Sequence, residues 1–215
     1  MRDTVTDLLD MATSDCSLCM EQALSIAGLF PLRCRDGTVY ALRQRSARRV
    51  PLLSAHLDTH PSGVGYDDRI GVAVIAYLAR HTDLEFGALL SVGEETGKSS
   101  ARHVWSDVGT SVSCAIVLDR RGTSDIVTRV GHLDTCDEEF SAAMVDALEQ
   151  YGYAPTEGKH SDVVPLSLRI GNAVNLSVGF SREHTPHERV DWEHVERLPD
   201  IVTAAIEAAY GVTDD

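Results

Sequence analysis

At 215 residues and 43% hydrophobic content, the chain suits one domain with a full-sized core, or two very small ones, and no Pro/Gly/Ser-rich linker divides it. A formal charge of −14 argues against nucleic acid or an anionic membrane as partner, and apolar runs such as "IGVAVIAYLA" are too short to span a bilayer. Five cysteines without a regular framework point to reduced thiols and a cytoplasmic home.

The N-terminal stretch "MRDTVTDLLDMATSDC" alternates charged and apolar residues, unlike a signal peptide. Residues near 4–12 and 17–29 read as helix, so Cys16 and Cys19 read as helical residues; no second Cys-x-x-Cys completes a zinc site. "GTVYALRQ" and "VPLLSAH" read as strands separated by the polar "RSARR". "DDRIGVAVIAYLARH" has the length of a buried helix, although its periodicity alone does not exclude a strand. "FGALLSVG" and "SVSCAIVLD" have the short apolar character of interior strands, and "DIVTRVG" alternates. Phe140, Ala143, Met144, Ala147, Leu148 and Tyr151 fall on one helical face behind Asp137 as N-cap. "NAVNLSVGF" is a further strand, and from Asp191 a last helix puts Val195, Leu198, Val202 and Ile206 on one face. Strand–helix alternation predicts an α/β fold, a three-layer α/β/α sandwich around a mostly parallel sheet.

Ionisable residues gather where the interior strands end. "PLLSA" runs into His56 and Asp58, "ALLSVG" into Glu94 and Glu95, and "CAIVL" into Asp119. "NLSVGF" is followed by Ser181 to His184, and "GYDDRIG" sets Asp67 and Asp68 ahead of a helix. Ligands of α/β sheets collect at the carboxyl ends of strands, and a His/Asp/Glu set suits zinc, including paired zincs sharing a carboxylate. Singly, each residue has an ordinary role as a loop histidine, N-cap, exposed pair or turn former. Their order along the chain carries the weight.

That order, His-x-Asp, Gly-x-Asp-Asp, Glu-Glu, Asp and His-Thr-Pro, resembles the co-catalytic zinc exopeptidases: single-domain zinc aminopeptidases, tetrahedral aminopeptidases, tripeptidase T and the glutamate carboxypeptidase type. The resemblance spans roughly Val50 to Leu198. It implies two zinc ions (or cobalt or manganese) and hydrolysis of a peptide bond by a water activated between them. His56 and Asp119 would hold one ion, Glu95 and His184 the other, with Asp67 bridging. Asp58 would orient the His56 ring, and Glu94 would be the general base. His187 rivals His184, which better matches the family's His-Ser/Thr-Pro pattern.

The larger relatives insert a lid or dimerisation domain. Here the chain after Asp119 leads straight to a strand, a helix and "GKHSDVVPLS", which implies one catalytic domain over residues 1–215 without that insertion. In this segment Ser161 and Asp162 are candidates for substrate contact, with a helix cap at Ser161 as the alternative. Arg120, Arg121 and Arg182 could hold a substrate carboxylate or balance local acids. The tetrapeptide HLDT recurs at His132 to Thr135, but only the first copy is followed in order by Gly-x-Asp-Asp and then Glu-Glu; the second runs straight into a helix cap at Asp137, so it is expected to lie outside the site. Besides an aminopeptidase, a carboxypeptidase, an N-acyl-amino-acid amidohydrolase or a non-catalytic metal-binding module fits the pattern.

Overall fold

The computed structural model describes Met1 and residues 20–21, 23–25, 28–103 and 106–213; the expected helix at 4–12 and the Cys16–Cys19 pair lie outside this set. The strands are β1 (Phe30–Arg33), β2 (Val39–Arg43), β3 (Val50–His56), β4 (Phe86–Ser91), β5 (Val112–Arg120), β6 (Asp125–Val130), β7 (Leu133–Asp134), β8 (Ala154–Gly158), β9 (Ala173–Ser177), β10 (Phe180–Ser181) and β11 (Arg189–Val190). The helices are α1 (Tyr66–His81), α2 (Ser106–Ser111), α3 (Glu138–Leu148), α4 (Val163–Ile170) and α5 (Trp192–Thr213).

A nine-stranded sheet runs β1-β2-β4-β3-β5-β9-β6-β7, with β8 on the far side of β6. Its centre, β4-β3-β5-β9, is parallel throughout, while β2 and β6 attach antiparallel on either side. Every residue of β3, β4 and β9 is buried, as expected of parallel strands covered on both faces. On one face, α1, α3 and α5 contribute Ile70, Ile75, Phe140, Met144, Val202 and Ile206 to one apolar cluster. On the other, α2 and α4 supply Val108, Val163 and Leu166 to a second. The fold is a three-layer α/β/α sandwich.

"DDRIGVAVIAYLARH" forms a helix, and it is buried almost all round because it lies between the sheet and α5. Arg43 of β2 reaches its end and donates to the Ala79 and Thr82 carbonyls, which lack helical partners there. Asp137 caps α3 by accepting the Phe140 N–H at 2.8 Å, and Asp191 accepts the His194 N–H at 3.1 Å at the start of α5. Strands β1 and β8 are additions to the sequence reading. Each lies at a sheet edge and contains a proline, which the edge tolerates because one side of the strand needs no ladder bond.

Because β3, β4, β5 and β9 are parallel and adjacent, their carboxyl ends all open on one rim of the sheet. That rim carries the ionisable residues.

Candidate metal centre

His56 is the last residue of β3, buried with 2% of its surface exposed. Its Nδ1 lies 2.8 Å from the backbone oxygen of Asp58, so the ring is held by a carbonyl, and the Asp58 carboxylate is 3.7 Å away. That carboxylate instead accepts the N–H groups of Gly93, Glu94 and Glu95 at 2.8, 3.3 and 3.1 Å. Asp58 therefore ties the Glu94–Glu95 turn, which follows β4, to the end of β3.

With Nδ1 engaged, Nε2 of His56 faces Asp67 Oδ1 at 3.1 Å and Asp119 Oδ1 at 3.6 Å. The other Asp67 oxygen, Oδ2, faces His184 Nε2 at 3.2 Å, and His184 Nε2 also lies 2.9 Å from Glu95 Oε2. Asp67 thus stands between two histidines, each with a further carboxylate beside it. His60 stacks on the His184 ring with centroids 4.4 Å apart, and its N–H donates to Glu95 Oε1 at 3.0 Å. His184 adopts a left-handed backbone conformation, φ 60°, that turns its ring to this contact.

His187 is exposed; its N–H bonds Thr185 Oγ1, and none of its contacts reaches Asp67 or Glu95 among the described residues. His132 and Asp134 lie apart at the β6–β7 hairpin, where Asp134 pairs with Arg129 at 2.7 Å on the surface.

Several supporting roles are not legible in the sequence, that of Asp68 in the Gly-x-Asp-Asp motif among them. Asp68, wholly buried, accepts the His56 N–H and the Gly71 N–H, both at 3.1 Å, and so joins β3 to α1. The peptide between Asp67 and Asp68 is cis. Gly71 allows α1 to approach this closely: a Cβ there would stand 2.3 Å from the Leu118 carbonyl oxygen. Glu188 buries its carboxylate against the loop before Asp67 and accepts the Val64, Gly65 and Tyr66 N–H groups at 2.8, 2.7 and 3.2 Å. It links the His184 loop to the Asp67 loop.

Asp162, 2% exposed, accepts a hydrogen bond from the Ser91 hydroxyl at the end of β4. Ser161 Oγ accepts the Asn175 amide N–H at 3.1 Å and lies 3.5 Å from the Val163 N–H, a marginal cap. Asn175 is oriented by its Oδ1, which takes the Asp119 N–H at 3.1 Å. Arg120 is paired with Asp125 through Nε and Nη2, both at 2.8 Å, and Arg121 with Glu183 at 2.8 Å.

The electrostatics follow from crowded buried acids. Burial lowers the His56 pKa, but hydrogen bonds to Asp119 and Asp67 outweigh it and hold the imidazole well above its ordinary value. Burial drives Asp119 well up. Burial also raises Glu95, with repulsion from Asp67 adding to it. Glu94 is pushed up to about 7 by burial; His56 pulls it down, while Asp162, Glu95 and Asp67 push it further up.

Such a cluster fits divalent cations. Donor atoms about 2.0–2.1 Å from a tetrahedral zinc lie roughly 3.3 Å from one another. The 3.1, 3.6, 3.2 and 2.9 Å separations around His56 and His184 match that spacing. Donor atoms of His56, Asp67 and Glu95 lie within 4.8 Å of one another, as do those of His56, Asp68 and Asp119. Among the described residues the buried Glu95 Oε2 accepts no hydrogen bond of regular geometry, and only the His184 ring nitrogen stands beside it at 2.9 Å, as befits an oxygen available to a metal.

No protein-family model matches the chain. Its structure is similar to that of aminopeptidase PepT from Bacillus cereus ATCC 10987, with TM-score 0.77 and 12% identity over 97% of both chains. A leucine aminopeptidase precursor from Bacteroides thetaiotaomicron VPI-5482 gives 0.76 at 16% identity, covering 94% of this chain and 93% of the other. The glutaminyl cyclase of Porphyromonas gingivalis gives 0.71 at 17% identity over 95% of each. At these identities the likeness is one of fold.

Proposed function

We propose that the chain is a dinuclear metal-dependent exopeptidase, aminopeptidase-like, cleaving peptides or acyl-amino acids within one catalytic domain that has no lid. The carrying observation is Asp67, whose two oxygens face His56 and His184 at 3.1 and 3.2 Å, the arrangement of a carboxylate shared by two ions. His56, Asp67 and Asp119 would hold one zinc, and Asp67, Glu95 and His184 the other, with cobalt or manganese as substitutes. Ions bound there polarise the scissile carbonyl and lower the pKa of water.

The chain's own residues supply the rest. Glu94 lines a cavity together with Asp67 and Asp119, beside the proposed ligands, where a carboxylate can take and return a proton. Glu94 accepts the proton of the attacking water and delivers it to the leaving amine. Asp58 holds Glu94 and Glu95 in their separate positions through the backbone N–H groups it accepts. Ser161, Asp162 and Arg120 sit around this space, with Ser161 and Arg120 on the cavity wall.

Because glutaminyl cyclases share the fold, fold alone does not choose hydrolysis. The shared Asp67 and the adjacent Glu94–Glu95 pair favour it. The test is a screen of zinc-loaded protein against aminoacyl p-nitroanilides, dipeptides, N-acetyl amino acids and glutaminyl peptides. Glu94→Gln should lower turnover by a factor on the order of 10²–10⁴ with metal retained, whereas Glu95→Gln should lose metal. Metal loss in Glu94→Gln alone would reverse the two roles. Unchanged amide hydrolysis in both variants would remove the assigned chemistry.

A further inference from the structure

The cavity beside Glu94 has a volume of about 130 Å³, room for on the order of ten water-sized groups, or one amino-acid side chain. Val127 and Phe180 give it apolar wall, and Asp67, Glu94 and Asp119 belong to the proposed metal and proton-transfer set. Three cationic side chains, Arg120, Arg121 and Lys159, also line it. Asp125 neutralises Arg120 and Glu183 neutralises Arg121, each at 2.8 Å. Lys159 has no ion pair among the described residues, so its charge remains available to a ligand.

A second donor lines the same cavity. The Asp119 N–H fixes Asn175 so that its amide nitrogen donates to Ser161 Oγ at 3.1 Å. Ser161 is nine-tenths buried, its oxygen is already an acceptor, and its own proton has no acceptor among the described residues. The Ser161 hydroxyl is therefore a donor awaiting an oxygen, in the same cavity as Lys159.

We propose that this cavity receives a carboxylate of the substrate, with Lys159 and the Ser161 hydroxyl as its receptor. The inference rests on the hydrolase reading for the position of the scissile bond. The carboxylate has two sources, an acidic side chain or the free C-terminus of a short peptide.

Hydrolysis by the zinc-loaded full chain separates them. One arm compares glutamyl with glutaminyl p-nitroanilide, and the other compares dialanine with its C-terminal amide. In one arm the charged substrate should be favoured on the order of tenfold in kcat/KM, the scale of one hydrogen bond to a charged group. Lys159→Ala should bring that ratio to about one while the neutral substrate is still cleaved, and Lys159→Arg should keep the preference. Calorimetric binding of L-glutamate against L-glutamine, and of L-leucine against leucinamide, supplies a readout independent of turnover. Loss of a charge preference in Lys159→Ala sustains the inference even if no amide is hydrolysed, in which case only the hydrolase reading falls. Equal handling of charged and neutral partners in both arms, or a preference that survives Lys159→Ala, would overturn it.

Discussion

Removing the Glu188 carboxylate should cost more stability than its surface-loop sequence context implies. One oxygen accepts the Val64, Gly65 and Tyr66 N–H groups at 2.8, 2.7 and 3.2 Å, and the residue is 8% exposed. A hydrogen bond to a charged group contributes about 1.5–3 kcal/mol, and three sharing one acceptor fall short of additivity. Glu188→Ala, which leaves these donors without a partner, should therefore lose about 3–5 kcal/mol. Glu188→Gln keeps an acceptor but loses the charge, which roughly halves such a bond, so about 1–2 kcal/mol is expected. Urea unfolding followed by far-UV circular dichroism measures the totals, and hydrogen exchange over residues 62–68 locates them. The Ala variant should lose protection at 64–66 before the rest of the domain. A cost below about 1 kcal/mol, or unchanged exchange at those amides, would refute the clamp.

Three further outcomes follow from the packing and the site. Gly71→Ala should destabilise the fold by about 1–3 kcal/mol in the same unfolding assay, because its Cβ would meet the Leu118 carbonyl oxygen at 2.3 Å and push α1 off β5; an unchanged midpoint would contradict that contact. Burial lowers the His194 pKa below its unfolded value near 6.5, so as pH falls the unfolded chain binds the proton first and stability declines from about pH 6.5 downward. Tyr153 spends its own hydroxyl proton on the Ser177 carbonyl, so His194 Nε2–H donates to the tyrosine oxygen, and His194→Gln should remove this part of the pH dependence; parallel stability–pH curves for the two proteins would contradict it. His184→Ala should weaken zinc retention on dialysis far more than His187→Ala; equal losses would contradict His184 as the ligand.

The interior of the fold was legible because burial on both faces leaves no room for alternation: "FGALLSVG" and "SVSCAIVLD" read as interior strands, and they form β4 and β5 in the parallel centre of the sheet. The edges were not. Pro31 in β1 and Pro155 with Gly158 in β8 are turn signals in sequence and edge-strand residues in space. At the rim of the sheet, His56, Asp67, Glu95, Asp119 and His184 come within contact of one another, and each stood out as an ionisable residue at a strand end or helix start. The residues that steady them did not stand out. Glu188 acts on backbone groups 122 to 124 residues earlier, and the His60–His184 stack joins two loops, so neither has a local pattern to betray it. Asp58 was legible as a residue, yet its carboxylate serves the Gly93–Glu95 backbone, which only the crossing of the two loops reveals.

Two ions sharing Asp67 are the centre of the proposed site. Elemental analysis of the protein after reconstitution with zinc and exhaustive dialysis tests this directly, with Asp67→Ala run alongside. Two ions per chain in the native sequence and at most one in Asp67→Ala are predicted. Fewer than one ion per chain in the native protein, or the same content in both, would contradict it.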